Sequence, residues 1–296
     1  MKHSARLVRL QLMHRRFFGW FLVTLFICTL PFLVATAREE AESQALTRRE
    51  WNVGGVTREA LLHIPKSNKA PAPVVFVFHG HGGSMRNTAR SFRVHELWPE
   101  AIVVYMQGLN TPGHLTDPEG KRPGWQRRPG DQGDRDLKFF DAVLAALQQG
   151  HQADTNRVFA TGHSNGGAFT YLLWQQRGEQ LAAIAPSASL YRELLSPGSE
   201  EKAKLRPLPV LHLAGEKDSL VQFDWQTRFL DALRKHHQCS EGKPWKQDLR
   251  CVLYQGRNGG DVLTYIHEGG HNFPSEGAEL IVKFFKAVPA SGRAKQ

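Results

Sequence analysis

A pentapeptide near the middle of the chain has the residue types and spacing that acyl-transfer chemistry needs. It spans 162–166, reads GHSNG and follows an apolar run at 158–160. A serine on a tight strand-to-helix turn exposes its hydroxyl, and only glycine lets the neighbouring backbone pass so close. The pentapeptide alone arises by chance, so its flanks decide its meaning. The preceding run is typical of a buried strand and residues 167–174 of a helix, which makes Ser164 the candidate nucleophile.

A second glycine-rich segment lies upstream, where the apolar run 74–78 ends in HGHGGS at 79–84. A serine hydrolase needs two donors aimed at the developing oxyanion. One is the amide after the nucleophile, and the other comes from a glycine-rich loop after an earlier strand. Asn165 would supply the first amide, and His81 or Gly82 the second. The alternative is an ordinary turn at the end of a strand.

An acid and a histidine should follow the serine in that order, each after a strand. The strand predicted at 208–213 leads to Asp218, and the strand predicted at 262–267 leads to His271 beyond two glycines. We therefore predict Asp218 as the acid and His271 as the base.

Three neighbouring residues are rivals for these roles. Glu216 and Asp224 are alternative acids, and His267 is an alternative base. His267 falls inside the predicted strand, which favours a structural role. His79 and His81 lack further ligands nearby for a zinc site, so we expect neither a metal nor an organic cofactor.

Four motifs together resemble a known family. HGHGG at 79–83, GHSNGG at 162–167, the Asp218 loop and GGHNFP at 269–274 look like the secreted polyhydroxybutyrate depolymerase and feruloyl esterase group of α/β-hydrolases. The likeness extends from Trp51 to about Val288. It implies the α/β-hydrolase fold, a triad of Ser164, Asp218 and His271, and ester hydrolysis. The chain departs from the family pattern at His81, where cysteine is common, and at 272–273, where Thr-Trp is frequent.

The alternation of short apolar runs with helical patterns predicts an α/β fold, with a mostly parallel sheet covered by helices on both faces. One such helix is expected over 136–147 with Asp136 as its N-cap. Only some twenty residues separate the predicted strands at 182–185 and 208–213. We therefore expect no large lid domain and an open cleft.

The stretch 108–135 is too long for a simple connection, and long loops in compact domains are usually functional. We predict that Trp125 stacks on a substrate ring at the cleft rim. The alternative is that it anchors its own loop.

The N-terminus has the organisation of an export signal. Five basic residues precede an apolar stretch at 17–30, which is followed by an A-x-A site at 35–37. We expect residues 1–37 to be a signal peptide, or an uncleaved membrane anchor, followed by an extension at 38–50, a catalytic domain at 51–288 and a tail at 289–296. The expected location is secreted or periplasmic, with membrane anchoring as the alternative.

Charge and cysteine content agree with export. The net charge is +10, and removal of residues 1–37 lowers the basic count from 38 to 33 against 28 acidic residues, leaving +5. This charge is spread along the chain without a nucleic-acid motif, so no nucleic-acid partner is expected. Cys239 and Cys251 remain after signal removal, and an even pair in an exported chain predicts a disulfide, with two free thiols as the alternative.

These observations predict a serine carboxylic ester hydrolase that acts through an acyl-enzyme. Its partner would be an ester substrate, polymeric or linked to polysaccharide, with a hydroxyalkanoate or feruloyl acyl group. Two alternatives are a peptidase of the same fold and an inactive surface-binding protein on the hydrolase scaffold.

Overall fold

A mixed β-sheet lies at the centre of the described chain. The computed structural model describes residues 46–66, 71–113, 115–195 and 205–289. The strands of this part are β1 (Thr47–Val53), β2 (Val56–His63), β3 (Ala72–Phe78), β4 (Ile102–Met106), β5 (Leu109–Asn110), β6 (Pro123–Gly124), β7 (Ala153–His163), β8 (Ala183–Ser187), β9 (Val210–Gly215), β10 (Lys243–Trp245), β11 (Asp248–Tyr254) and β12 (Val262–His267).

Ten of these strands share one sheet in the order β1-β2-β4-β3-β7-β8-β9-β12-β11-β10. The run from β4 to β12 is parallel throughout, and both edges are antiparallel. β5 and β6 pair separately. Because the carboxyl ends of parallel strands meet at one edge, loops after β3, β7, β9 and β12 can converge on a single site.

Helices cover both faces of the sheet. They are α1 (Met85–Phe92), α2 (Val94–Leu97), α3 (Arg135–Gly150), α4 (Asn165–Arg177), α5 (Phe223–His236) and α6 (Gly277–Ala287). Buried side chains of α3, α4 and α5 pack on one face, and those of α1, α2 and α6 on the other. The central strand β3 is buried along its whole length, as expected for a strand with helices on both sides. The predicted α/β architecture is therefore confirmed.

Two predicted boundaries differ from the structure. The first strand begins at Thr47, so the expected domain start at Trp51 lies inside β1. α3 begins at Arg135, and Asp136 is its second residue rather than its N-cap. Asp136 is fully buried, and its carboxylate accepts a hydrogen bond from Arg58 at 2.8 Å. The prediction of a capping role was wrong because a buried guanidinium from β2 needs this carboxylate.

The predicted disulfide is also absent from the structure. Cys239 and Cys251 are free thiols. Cys251 is buried in the core between the sheet and α1, α2 and α6, whereas Cys239 packs against the core on the opposite face. A disulfide requires closely apposed Cβ atoms, and the sheet separates these two. The prediction was wrong because an even cysteine count carries no information about which face each residue occupies.

The predicted export signal and the extension up to residue 45 lie outside the described residues. Among the helices that are described, none combines the length and the apolar character needed to cross a membrane. The export prediction therefore stays a prediction.

Candidate active site

Ser164 lies on the sharp turn between β7 and α4. Its backbone has φ 56° and ψ −119°, a conformation that is strained for a residue with a side chain. Glycines on both sides make the turn possible. A Cβ at Gly166 would lie 2.4 Å from the carbonyl oxygen of Phe78, and one at Gly162 would lie 2.5 Å from the backbone of Gly166. The turn therefore requires the glycine spacing read from the sequence.

Three side chains from separate loops form a continuous hydrogen-bonded series. His271 Nε2 lies 2.8 Å from Ser164 Oγ, and His271 Nδ1 lies 2.9 Å from Asp218 Oδ2. A carboxylate only accepts, so Nδ1 carries the proton and Nε2 is left to accept from the serine hydroxyl. This is the arrangement in which a histidine can take a proton from an attacking serine.

Asp218 is held in place by its own loop. Its Oδ1 accepts hydrogen bonds from the amides of Leu220 at 3.0 Å and Val221 at 2.9 Å. The side chain is buried, whereas the rival acids Glu216 and Asp224 are exposed. Geometry therefore favours Asp218 as the partner of His271.

Two further histidines lie close to His271. His267 ends β12, and its Nδ1 accepts a hydrogen bond from the Gly269 amide at 3.1 Å, which is a structural contact within the loop. His163 Nε2 donates to the backbone carbonyl of His271 at 2.8 Å. Burial lowers the pKa of His163 to about 4, so its ring is neutral and holds the His271 loop without adding charge. The sequence analysis predicted no role for His163 beyond its position in the pentapeptide.

The glycine-rich loop after β3 contains both candidates for the second oxyanion donor, the amides of His81 and Gly82. The carbonyl of Gly80 accepts from the Gly83 amide at 2.9 Å and from His79 Nδ1 at 2.7 Å. In a trans peptide the N–H points opposite to the carbonyl, so the His81 amide points away from Gly83 and from the His79 ring. Gly80 and His81 both line the cavity beside Ser164. The Gly82 amide donates to Pro123 at 2.7 Å. Of the two candidates for the second donor, His81 is therefore the one left available.

Trp125 does not lie at the cleft rim. It is 0% exposed, and its ring stacks on Phe169 and packs edge-on against Phe78. Its indole N–H donates to the carbonyl of His79 at 2.8 Å. The prediction of substrate stacking was wrong, and the alternative that Trp125 anchors its own loop is correct, because this ring fills the core beneath the site.

The Asn165 side chain links the Trp125 loop to the turn that carries Ser164. Its Oδ1 accepts from the Trp125 amide at 2.7 Å, and its Nδ2 donates to the Trp125 carbonyl at 3.1 Å. The predicted role of Asn165 concerned only its backbone amide. Its side chain adds a link to the Trp125 loop that no local sequence pattern indicates.

A cavity of about 380 Å³ opens beside Ser164 and His271. This is within the usual size of small-molecule sites. Its apolar wall comes from the loops after β5, β8 and β9 and from the start of α5, namely Leu115, Leu190, Tyr191, Leu220, Val221 and Trp225. Trp225 is half-buried and contributes an aromatic side chain to this wall, which the sequence analysis did not predict. Its position after the Asp218 loop was the available signal.

Several arginines also line the cavity, and Arg127 is half-buried whereas Arg122, Arg128 and Arg192 are exposed. Burial lowers the pKa of Arg127, and the nearby guanidinium groups of Arg192 and Arg128 lower it further. Arg122 completes this basic part of the wall. Within the described residues, no three His, Cys, Asp or Glu side chains are arranged to hold a metal ion.

Comparison with known proteins supports the same interpretation. A profile of the dienelactone hydrolase family matches residues 59–241. The chain is 25% identical over 271 residues to feruloyl esterase D of Neurospora crassa, covering 85% of this chain and 88% of that relative.

Two solved structures show the fold. A ferulic acid esterase gives a TM-score of 0.60 at 17% identity, over 82% of this chain and 98% of that one. An acetyl xylan esterase from Aspergillus awamori gives 0.58 at 11% identity, over 80% and 98%. Together with the sheet order, they confirm the α/β-hydrolase fold predicted from the sequence.

Proposed function

This chain belongs to the dienelactone hydrolase family, and we propose that it is an esterase that acts through Ser164, His271 and Asp218. The observation that carries the proposal is the unbroken series of hydrogen bonds from Ser164 Oγ to His271 to the buried Asp218. The likeness to feruloyl esterases supports carboxylic esters as the substrate class.

The proposed reaction has two steps. Ser164 Oγ attacks the ester carbonyl while His271 Nε2 takes its proton, and the amides of His81 and Asn165 stabilise the oxyanion. His271 then gives the proton to the leaving alcohol, and an acyl-enzyme remains. Water, activated by the same imidazole, attacks the acyl carbonyl and releases the acid with regeneration of Ser164. Asp218 stabilises the imidazolium in both steps.

The cavity wall favours an aromatic acyl group of the feruloyl type. Trp225, Tyr191 and the leucines offer apolar area for a ring, and Arg127 offers donors for its oxygen substituents. A hydroxyalkanoate polyester, the other substrate predicted from the sequence, would use the same apolar wall without the ring contact. We propose that the ester is attached to a bulky or polymeric alcohol, and that the chain is exported to reach it.

The nucleophile is tested by labelling with a fluorophosphonate probe, which reacts with activated serines. We expect the probe to label Ser164 in the wild type and not to label the Ser164→Ala variant. The variant should keep only about 10³- to 10⁴-fold acceleration over the uncatalysed rate. Ser189→Ala is the matched control, because Ser189 is buried in the same cavity wall. Labelling that moves to Ser189, or substantial turnover by folded Ser164→Ala, would contradict the assignment.

The same experiments separate the alternatives. Absence of labelling in folded wild-type protein would favour an inactive binding protein. Labelling with cleavage of peptide amides, but not of methyl ferulate or hydroxybutyrate oligomers, would favour a peptidase. Comparison of the last two substrates then selects the acyl group.

A further inference from the structure

A line of buried polar side chains continues from Asp218 into the core. Gln226 Nε2 lies 3.3 Å from Asp218 Oδ2, and Gln226 Oε1 lies 3.1 Å from His212 Nε2. His212 Nδ1 lies 2.8 Å from the hydroxyl of Tyr171. The last three residues are 0% exposed and come from α5, β9 and α4. Buried polar groups are costly unless they are paired, and here every pairing leads towards the catalytic acid.

The donors in this line all point the same way. Gln226 Nε2 also lies 2.7 Å from the carbonyl oxygen of Val221. Both of its neighbours, this carbonyl and the Asp218 carboxylate, can only accept, so the amide orientation is fixed with its oxygen towards His212. His212 Nε2 must then carry the proton.

The far end of the line completes this direction. Burial lowers the pKa of His212 to about 4, so the ring is neutral and its Nδ1 accepts from the Tyr171 hydroxyl. Burial also raises the pKa of Tyr171 well above 10, and the phenol keeps its proton. The line therefore runs from Tyr171 to His212 to Gln226 to Asp218, with each group donating to the next.

We propose that Gln226 is a positioning residue for the triad, and that His212 and Tyr171 act through it. This proposal rests on the proposed function. Gln226 donates to Oδ2, the same oxygen that accepts from His271, whereas Oδ1 is held by backbone amides. The donor fixes this oxygen in line with His271. It also withdraws electron density from the carboxylate, so Asp218 holds the protonated imidazole less tightly.

Replacement of Gln226 by methionine keeps the side-chain length and removes the donor. We expect Gln226→Met to lower kcat by about 5- to 50-fold with little change in KM, well below the roughly 10⁴-fold loss when tautomer control by the acid is removed. The midpoint of the acid limb of kcat/KM should move up by about 0.5–1 pH unit, because a carboxylate without this donor stabilises the imidazolium more.

Phe229→Leu is the matched control for packing. Phe229 is 0% exposed, and its ring lies 4.9 Å from Tyr171 and 5.9 Å from His212, without any hydrogen bond in the line. We expect it to lower stability while leaving the acid limb in place. His163 and His267 are titratable groups close to the triad, and Glu216 and Glu276 lie near His267. The cavity beside Ser164 is also lined by charged or titratable side chains, namely His81, Arg122, Arg127, Arg128, Arg192 and Glu193. Both variants leave all of these groups intact. An unchanged limb in folded Gln226→Met, or an equal shift in Phe229→Leu, would overturn the proposal.

A measurement on the wild-type protein covers the case in which Gln226→Met does not fold. Nitrogen-15 NMR of His212 should show a neutral ring protonated on Nε2 from pH 7 down to pH 5. A proton on Nδ1 would reverse the line and overturn the proposal even if Ser164→Ala confirms the esterase. If labelling shows that Ser164 is not the nucleophile while His212 carries its proton on Nε2, the result counts against the proposed function alone.

Discussion

At the residue scale, the tryptophan in the cavity wall is Trp225, whereas the sequence predicted Trp125 there. Trp225 lines the cavity beside the Asp218 loop, whereas Trp125 is enclosed by Phe78, Phe169 and His79. The two tryptophans therefore offer a matched pair for separating substrate contact from loop anchoring.

We predict that Trp225→Ala weakens hydrolysis of methyl ferulate about three- to tenfold more than hydrolysis of p-nitrophenyl acetate. An aromatic pair adds about 0.5–1.5 kcal/mol beyond area burial. The acetyl group has no ring, so its ester should not lose this contribution. The measurement is kcat/KM for both esters. Equal losses on the two substrates would mean that Trp225 does not contact the acyl group.

Trp125→Ala should behave differently. Truncation of a fully buried tryptophan is expected to lower the free energy of unfolding by about 3–5 kcal/mol. Because the indole N–H holds the carbonyl of His79, at the start of the glycine-rich loop, and contacts no substrate group, the folded variant should lose activity on large and small esters alike. Urea unfolding and the same two substrates test this, and a selective loss on methyl ferulate would restore Trp125 as a substrate contact.

A buried ion pair joins separate elements of the fold. Arg58 on β2 and Asp136 on α3 have side chains that are 1% and 0% exposed, and their charged atoms lie 2.8 Å apart. The second oxygen of Asp136 accepts from the Gln126 amide at 2.8 Å. This carboxylate thus connects a strand, a helix and the loop that carries Trp125.

We predict that Asp136→Asn lowers the free energy of unfolding by about 3–5 kcal/mol, because it leaves a buried guanidinium without its counter-charge. Asp141→Asn is the matched control on the same helix. Asp141 pairs with Arg177 at 2.7 Å, but their side chains are 37% and 26% exposed, and partly solvated pairs contribute about 0–1 kcal/mol. Urea denaturation measures both, and similar effects would contradict the distinction.

Buried histidines set the acid sensitivity of the whole molecule. Burial lowers the pKa to about 4 in each of five imidazoles, those of His79, His95, His163, His212 and His237. In the unfolded chain a histidine titrates near 6.5. The unfolded state therefore binds more protons between about pH 4 and 6.5. The free energy of unfolding is highest above that window and decreases as the pH falls through it.

We predict that the free energy of unfolding decreases by several kcal/mol between pH 7 and pH 5, since each such histidine contributes on the order of 1–2 kcal/mol at pH 5. Urea midpoints at pH 7, 6 and 5 test this. A midpoint that stays constant over this range would show that these rings are protonated in the folded protein.

The thiols provide a second prediction for the whole molecule. Because Cys239 and Cys251 pack on opposite faces of the sheet, we predict that both are alkylated in urea without any reductant. Peptide mass spectrometry with and without prior reduction measures this. A linked Cys239–Cys251 peptide in unreduced protein would contradict the structure.

The sequence by itself determined the parts that depend on local chain geometry. Strand, turn and helix around Ser164 follow from the apolar run and from glycines at positions where a Cβ would collide with backbone. Asp218 and His271 could be predicted because each follows a strand-like run, and side chains that follow parallel strands meet at one edge of the sheet. The fold class followed from alternation of short apolar runs with helical patterns.

Only the tertiary structure decided which side chains face one another across the fold. Trp125 and Trp225 are both tryptophans near loops, and their exposure depends on what packs over them. Cys239 and Cys251 are close along the chain, yet the sheet lies between them. No local pattern around Asp136, Gln226 or His212 indicates a polar partner, yet burial pairs them with Arg58, Asp218 and Tyr171. Long-range pairing of buried polar groups is set by packing, which local pattern does not encode.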